Sequence, residues 1–110
     1  MDKNAALTCF DALSQETRLD VVRLLIRSAP AGLPAGDIGD RLGIRQNTMS
    51  SHLKILAQAG LVTAVREGRV IRYQADFSAV RGLVLFLMED CCGGAPELCQ
   101  PIMDQAKCGC

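Results

Sequence analysis

The feature that most constrains this chain is a change of period at Leu61. Upstream, apolar residues recur at helical spacing. Then Leu61-Val62-Thr63-Ala64-Val65-Arg66-Glu67 and Arg69-Val70-Ile71-Arg72-Tyr73-Gln74-Ala75 turn β-rich, joined at Glu67-Gly68. Two such runs around a Gly-containing junction predict a hairpin. Helical spacing resumes at Phe77 and continues through Val80, Leu83, Val84, Leu87 and Met88, widened by Leu85 and Phe86. A helix apolar on nearly all sides needs cover on more than one side, and a second subunit can supply one cover.

Upstream of the hairpin the pattern predicts four helices. Residues 5–13 form a short apolar one. Ser14 is placed to cap the next, with Glu16 and Asp20 near its positive end. Leu19, Val22, Leu25 and Ile26 mark that helix's apolar stripe, with Arg18, Arg23 and Arg27 largely off it. Residues 28–34 contain Pro30, Gly32 and Pro34 and read as a loop. Ala35–Leu42 is a short helix stopped by Gly43, and a further helix over 46–59 is ended by Gly60. The expected architecture is mainly α with a β-hairpin wing, in the order α-α-α-α-β-β-α.

At 110 residues the chain is one domain, small enough that burial in a homodimer would be natural. Residues 1–92 are expected to form the folded domain and 93–110 a Cys-rich tail. There is no apolar run of about 18 residues, which excludes a membrane-spanning helix. Met1-Asp2-Lys3-Asn4 lacks a charged-then-apolar signal pattern, so the expected location is the cytoplasm, where structural disulfides are rare. The net charge of zero hides an asymmetry. Residues 1–82 hold eleven Lys/Arg against eight Asp/Glu, a balance of +3; residues 83–110 hold one Lys against four acids, a balance of −3. The basic part suits phosphate and the acidic part a cation.

Two short helices joined by a Gly-containing turn form a helix-turn-helix pattern, and the hairpin after them makes it a winged helix. On the second helix Met49, Leu53 and Leu56 fall on one face. Arg45, Gln46, Asn47, Ser50, Ser51 and Lys54 fall elsewhere. Gln and Asn can bond adenine edges in pairs, Ser can bond base or phosphate, and Lys54 suits phosphate. Arg66, Arg69 and Arg72 of the wing can reach backbone or minor groove. A plain solvated helix face has a similar composition, and helix order alone does not separate the two.

The motifs themselves are more specific. Ala12-Leu13-Ser14-Gln15-Glu16-Thr17-Arg18-Leu19 resembles the "ALSDPTRL" opening of the ArsR/SmtB family of metal-responsive winged-helix repressors. Residues 44–56, Ile-Arg-Gln-Asn-Thr-Met-Ser-Ser-His-Leu-Lys-Ile-Leu, resemble its recognition helix, "LSQPTVSRHLKVL". Ala59-Gly60-Leu61-Val62 and Arg66-Glu67-Gly68-Arg69-Val70-Ile71-Arg72-Tyr73 resemble its "AGLV…REGRWVYY" wing. The resemblance spans about residues 10–90. It implies a homodimer built on the first and last helices, here through Phe77, Val80, Val84, Leu87 and Met88. It also implies double-stranded operator DNA bound by the metal-free form and released by an inducer. His52 stands where the family carries a His in the recognition helix, which implies helix packing or a phosphate contact rather than metal ligation.

Five of the six cysteines, Cys91, Cys92, Cys99, Cys108 and Cys110, lie in the last twenty residues. The family's arsenic pattern "ELCVCDL" is absent from the helix before the recognition helix, and its zinc pattern of His and Asp on the last helix lacks a His here. Cys91-Cys92-Gly93-Gly94-Ala95-Pro96-Glu97-Leu98-Cys99 remains. Adjacent helical residues point about 100° apart. At a helix end loosened by two glycines both sulfurs can still turn to one atom, and a Pro-containing loop can return Cys99 as a third. Three thiolates suit a soft centre. As(III) is the expected inducer and Sb(III) fits similarly, with no organic cofactor. The segment resembles that of ArsR-type arsenite repressors with a C-terminal vicinal cysteine pair.

Alternatives stay open at this level. With Cys108 or Cys110 as a fourth ligand the tail could take zinc or cadmium. A Cys91 or Cys92 link to Cys99 would make a redox or persulfide switch. Cys9 on the first helix reads as a small buried residue. A thiol-rich metal-buffering protein is the reading from a different class. An enzyme is not expected, because there is no Gly-rich phosphate loop and no nucleophile or carboxylate arrangement around the lone His.

Overall fold

Asp2 starts the first helix by accepting the Ala5 N–H at 2.7 Å with its carboxylate, a side-chain N-cap. The computed structural model describes residues 1–88 and 96–106, apart from the side chains of Pro96, Cys99, Met103 and Ala106. The elements in order are α1 (Lys3–Leu13), α2 (Glu16–Arg27), β1 (Leu33–Pro34), α3 (Ala35–Leu42), α4 (Gln46–Gln58), β2 (Val62–Glu67), β3 (Val70–Ala75), α5 (Phe77–Met88) and α6 (Pro96–Ala106). The expected order α-α-α-α-β-β-α is therefore present, with β1 and α6 added. No helix among the described residues is long and apolar enough to cross a membrane.

Three local expectations change. Ser14 does not cap α2; its N–H and hydroxyl both bond the Asp11 carbonyl and close α1 instead. Gln15 takes the N-cap role, its side-chain oxygen accepting the Arg18 N–H at 2.9 Å. Leu19 lies 43% exposed, because two helical steps of about 100° turn it away from fully buried Val21. The core face of α2 is Val21, Val22, Leu24 and Leu25. Cys99 lies within helix α6 and not in a loop.

The core gathers Val21 and Leu25 from α2, Ile38 from α3, Met49, Leu53 and Leu56 from α4, and Leu61. Each fully buried aliphatic side chain contributes roughly 1.5–3 kcal/mol. From α1, Ala6, Cys9 and Ala12 join this core, and from α5 only Leu83 is fully part of it. The Cys9 thiol lies 3.5 Å from the Ala59 carbonyl at the end of α4, and burial pushes its pKa up from the ordinary thiol value.

The three strands form one antiparallel sheet in the order β1-β3-β2. Leu33 pairs with Tyr73 and Pro34 with Arg72, so the short β1 anchors the hairpin to the helical body. The approach is close at Gly32, where φ is +71° and an added Cβ would run into the Tyr73 carbonyl oxygen. Gly32→Ala should therefore lower stability by at least about 2 kcal/mol, read as a fall in thermal midpoint. Buried and protonated, Cys9 should resist alkylation at about pH 8 in the native protein and react after denaturation, as peptide mass mapping can read.

Candidate nucleic-acid interface

Helix α4 divides cleanly by face. Met49, Leu53 and Leu56 are fully buried, following the helical spacing of three and four. Arg45, Gln46, Asn47, Thr48, Ser50, Ser51 and Lys54 are exposed. The stripe is thus used up in the core, and the polar residues are presented outward on a rigid helix. The turn before α4 is tight. Gly43 adopts φ +67° as the C-cap of α3, and the Ile44 N–H closes onto the Gly39 carbonyl at 3.0 Å. Gly39 itself sits so close that an added Cβ would stand 3.0 Å from the Ile44 carbonyl oxygen.

The exposed face carries the right chemistry for base edges and phosphate. α4 begins at Arg45 with no side-chain cap and no acid in its first turn, which leaves its positive end open to an anion. Asn47 Oδ1 accepts the Thr48 N–H at 2.9 Å, and Ser51 Oγ donates to the Asn47 carbonyl at 3.4 Å. Thr48, exposed in the same first turn, was not among the residues singled out from sequence; its spacing from Met49 alone would have placed it there.

His52 is different. It is half-buried, and its Nδ1 lies 3.5 Å from the Arg18 guanidinium. In the sequence Arg18 falls off the α2 stripe and within the family's opening motif, and neither assigns it a partner. Its contacts run six and thirty-four residues along the chain, beyond the reach of local pattern reading.

The three wing arginines also separate. Arg69 is exposed at the turn between β2 and β3, and Arg66 is exposed with its Nε donating to the Gly68 carbonyl at 3.2 Å. Arg72 is committed to partners on the protein itself. Its Nε–H donates to Glu67 at 2.9 Å, and a terminal N–H donates to the Gly32 carbonyl at 3.4 Å. It braces the wing against the loop before β1.

The expected dimer residues also divide. Phe77, Val84 and Leu87 are exposed at 46%, 50% and 62%, while Val80 packs on the chain's own core. Met88 is half-buried and lines an open, mainly apolar cavity of about 410 Å³ with Met1, Gly82, Leu85 and Phe86. Leu85 on α5 and Leu7 on α1 extend the exposed apolar surface. Of the expected inducer ligands, Cys91, Cys92, Cys108 and Cys110 lie outside the described residues, and Cys99 lies on α6. Among the described residues no group of three His, Cys, Asp or Glu side chains is placed to hold a metal ion.

A helix-turn-helix domain family model matches residues 13–65. The uncharacterized HTH-type transcriptional regulator YbzH of Bacillus subtilis is 34% identical over 71% of this chain and 90% of its own. An ArsR-like transcriptional regulator from Rhodococcus superposes with a TM-score of 0.70 at 26% identity, covering 97% of this chain and 96% of that one. The chain belongs to the ArsR family of winged helix-turn-helix regulators. Two more solved relatives are informative. The homodimeric winged helix-turn-helix DNA-binding domain of a possible ArsR-family regulator from Mycobacterium bovis matches at 26% identity and a TM-score of 0.65, covering 77% of each chain. The antimony-specific repressor AntR matches at 32% identity and a TM-score of 0.60, covering 74% of this chain and 72% of its own.

In this ArsR-family chain, then, Arg69 and Arg72 should behave differently on DNA. Arg69→Ala should weaken binding to all sequences and reduce the slope of log affinity against log salt by about one. Arg72→Met should lower affinity while leaving that slope unchanged, as anisotropy titrations at several salt concentrations will show.

Proposed function

We propose that this protein is a homodimeric repressor that holds operator DNA in its ligand-free form and is released by trivalent arsenic or antimony. The inducer is bound by Cys91, Cys92 and Cys99, with Cys108 and Cys110 available as further thiols. The observation that carries the reading is position in the sequence: Cys91 and Cys92 come three and four residues after Met88, where α5 ends, and α5 exposes Val84, Leu85 and Leu87. An ion drawing the chain after α5 toward Cys99 acts at the end of the proposed subunit seam.

The DNA half is supported by the exposed polar face of α4, with Gln46, Asn47, Ser50 and Ser51 as base or phosphate readers and Arg45, Lys54, Arg66 and Arg69 as phosphate contacts. Two such helices in a dimer would enter successive major grooves. The dimer is supported by the apolar surface of α1 and α5 and by the homodimeric relative. The choice of a trivalent metalloid is supported by thiol-only ligands and by the likeness to an antimony-specific repressor. Linkage requires that an inducer which weakens DNA binding is itself bound more weakly by the DNA complex, typically by about 5–150-fold.

The test is anisotropy of a labelled duplex from the region upstream of the protein's own gene, under reducing conditions. Arsenite should release the wild-type protein while zinc leaves it bound. Cys91→Ser and Cys99→Ser should stay on the duplex at arsenite concentrations that clear the wild type. Release by zinc or cadmium alone would move the site to a divalent metal, and release by an oxidant without arsenite would make it a redox switch.

A further inference from the structure

Arg18 occupies an unusual place for a surface arginine of α2. It is half-buried, and its Nε–H donates to the Ala12 carbonyl in the last turn of α1 at 2.6 Å. A terminal nitrogen of the same guanidinium lies 3.5 Å from Nδ1 of His52 on α4. Among the described residues the ion pair is Arg72 with Glu67, and Arg18 has no carboxylate in this role. Its donors are directed instead at two other groups, the Ala12 carbonyl on α1 and the His52 ring on the helix that carries the proposed DNA-reading residues.

The chemistry of the pair fixes the imidazole. A guanidinium has donors only and stays protonated, so the ring nitrogen facing it has to be the acceptor. As a hydrogen bond, this contact needs Nδ1 as the acceptor, which places the ring proton of His52 on Nε2. α1 also meets the far end of α4, where the Cys9 thiol approaches the Ala59 carbonyl at 3.5 Å. The helix that packs against α5 thus reaches α4 at two points, one through the Cys9 thiol and one through Arg18.

We propose that Arg18 is a positioning residue for DNA reading: by bridging the α1 carbonyl end to His52, it sets the rotation of α4 relative to the α1–α5 seam. This rests on the homodimeric DNA-binding reading above. In a dimer built on α1 and α5, the orientation of α4 against α1 determines the spacing and tilt of the two reading helices. A planar, two-ended donor is suited to that task, and lysine, with one point of charge, cannot hold both acceptors in fixed geometry.

His52 is the chain's single histidine, so its ring nitrogens can be read without ambiguity. At about pH 8, where an ordinary imidazole is neutral, wild-type protein should show the ¹⁵N pattern of the Nε2–H tautomer. Arg18→Met and Arg18→Lys should both shift it toward a tautomer mixture. Both should weaken binding to the labelled upstream duplex by roughly tenfold, with the salt slope unchanged. His52→Asn, which keeps an acceptor near the Nδ1 position, should recover most of the affinity that His52→Gln loses. A fixed Nε2–H tautomer that survives Arg18→Met, or duplex affinity unchanged by it, overturns the positioning role. Better binding by His52→Gln than by His52→Asn also overturns it, in favour of a direct Nε2 contact with phosphate. Failure of the wild-type protein to bind the duplex overturns the DNA-binding function and this role with it, whereas loss confined to the variants bears on Arg18 alone.

Discussion

Everything the exposed face of α4 can do depends on the burial of its opposite face. Met49, Leu53 and Leu56 are fully enclosed, against Val21 and Leu25 of α2, Ile38 of α3 and Leu61 at the start of the hairpin. The helix cannot rotate by one residue, about 100°, without drawing that stripe out of the core and pushing serine and asparagine in. The face on which Gln46, Asn47, Ser50 and Ser51 lie is therefore enforced by hydrophobic burial, and the proposed Arg18–His52 bridge acts only on the finer orientation that burial leaves open. The Gly39–Ile44 approach constrains the second coordinate, the distance between α3 and α4, because a Cβ at 39 would stand 3.0 Å from the Ile44 carbonyl oxygen and require it to give by a few tenths of an ångström.

The wing is held by different means. A hairpin of two six-residue strands is marginal alone, and outer β2 is exposed from Thr63 onward. Its stability comes from below, through the pairing of Leu33 and Pro34 with β3 and the Arg72 bond to the Gly32 carbonyl, and from the Arg72–Glu67 ion pair across the hairpin itself. Gln74 adds a bond from its amide to the Pro30 carbonyl at 3.2 Å. Arg66 and Arg69 thereby stay exposed at the outer end of the wing, where the proposed phosphate contacts lie.

The helix-turn-helix and the hairpin were legible in the sequence because both rest on short-range rules: glycine at a left-handed cap, apolar spacing of three and four, and a Glu-Gly turn between β-rich runs. Met49, Leu53 and Leu56 follow from spacing alone. Ser14 and Gln15 were exchanged because both can cap, and the choice turned on whether the Ser14 hydroxyl bonded backward to Asp11. β1 was missed since two residues, one of them proline, carry no period of their own and become a strand only through a partner forty residues away. α6 was missed because Gly93, Gly94 and Pro96 mark an end to α5 without indicating that a helix restarts. Arg72 and Arg18 show the same limit for function. An arginine in a basic motif reads as a phosphate contact, and only its distant acceptors reveal that it spends its donors on the protein itself.

α5 connects the two halves of the proposed mechanism. Leu83 ties it to the core, while Val84, Leu85 and Leu87 leave most of its surface uncovered. Such a helix has two rival partners, its own domain and a second subunit, and its position reflects the balance between them. With Leu83 its one fully buried side chain among the described residues, that balance would be set largely by the proposed seam. An inducer acting beyond Met88 would then need to shift the helix only slightly against α1, since packed interfaces respond by moving between discrete arrangements and not by gradual deformation. α1 touches both α5 and α4, so a displacement entering at the end of α5 reaches the DNA-reading helix within two contacts. In the proposed mechanism, separating the thiols from the DNA-reading face would leave that face to be shaped by its own packing, while the response to the ion would pass through α5, whose apolar surface is largely exposed.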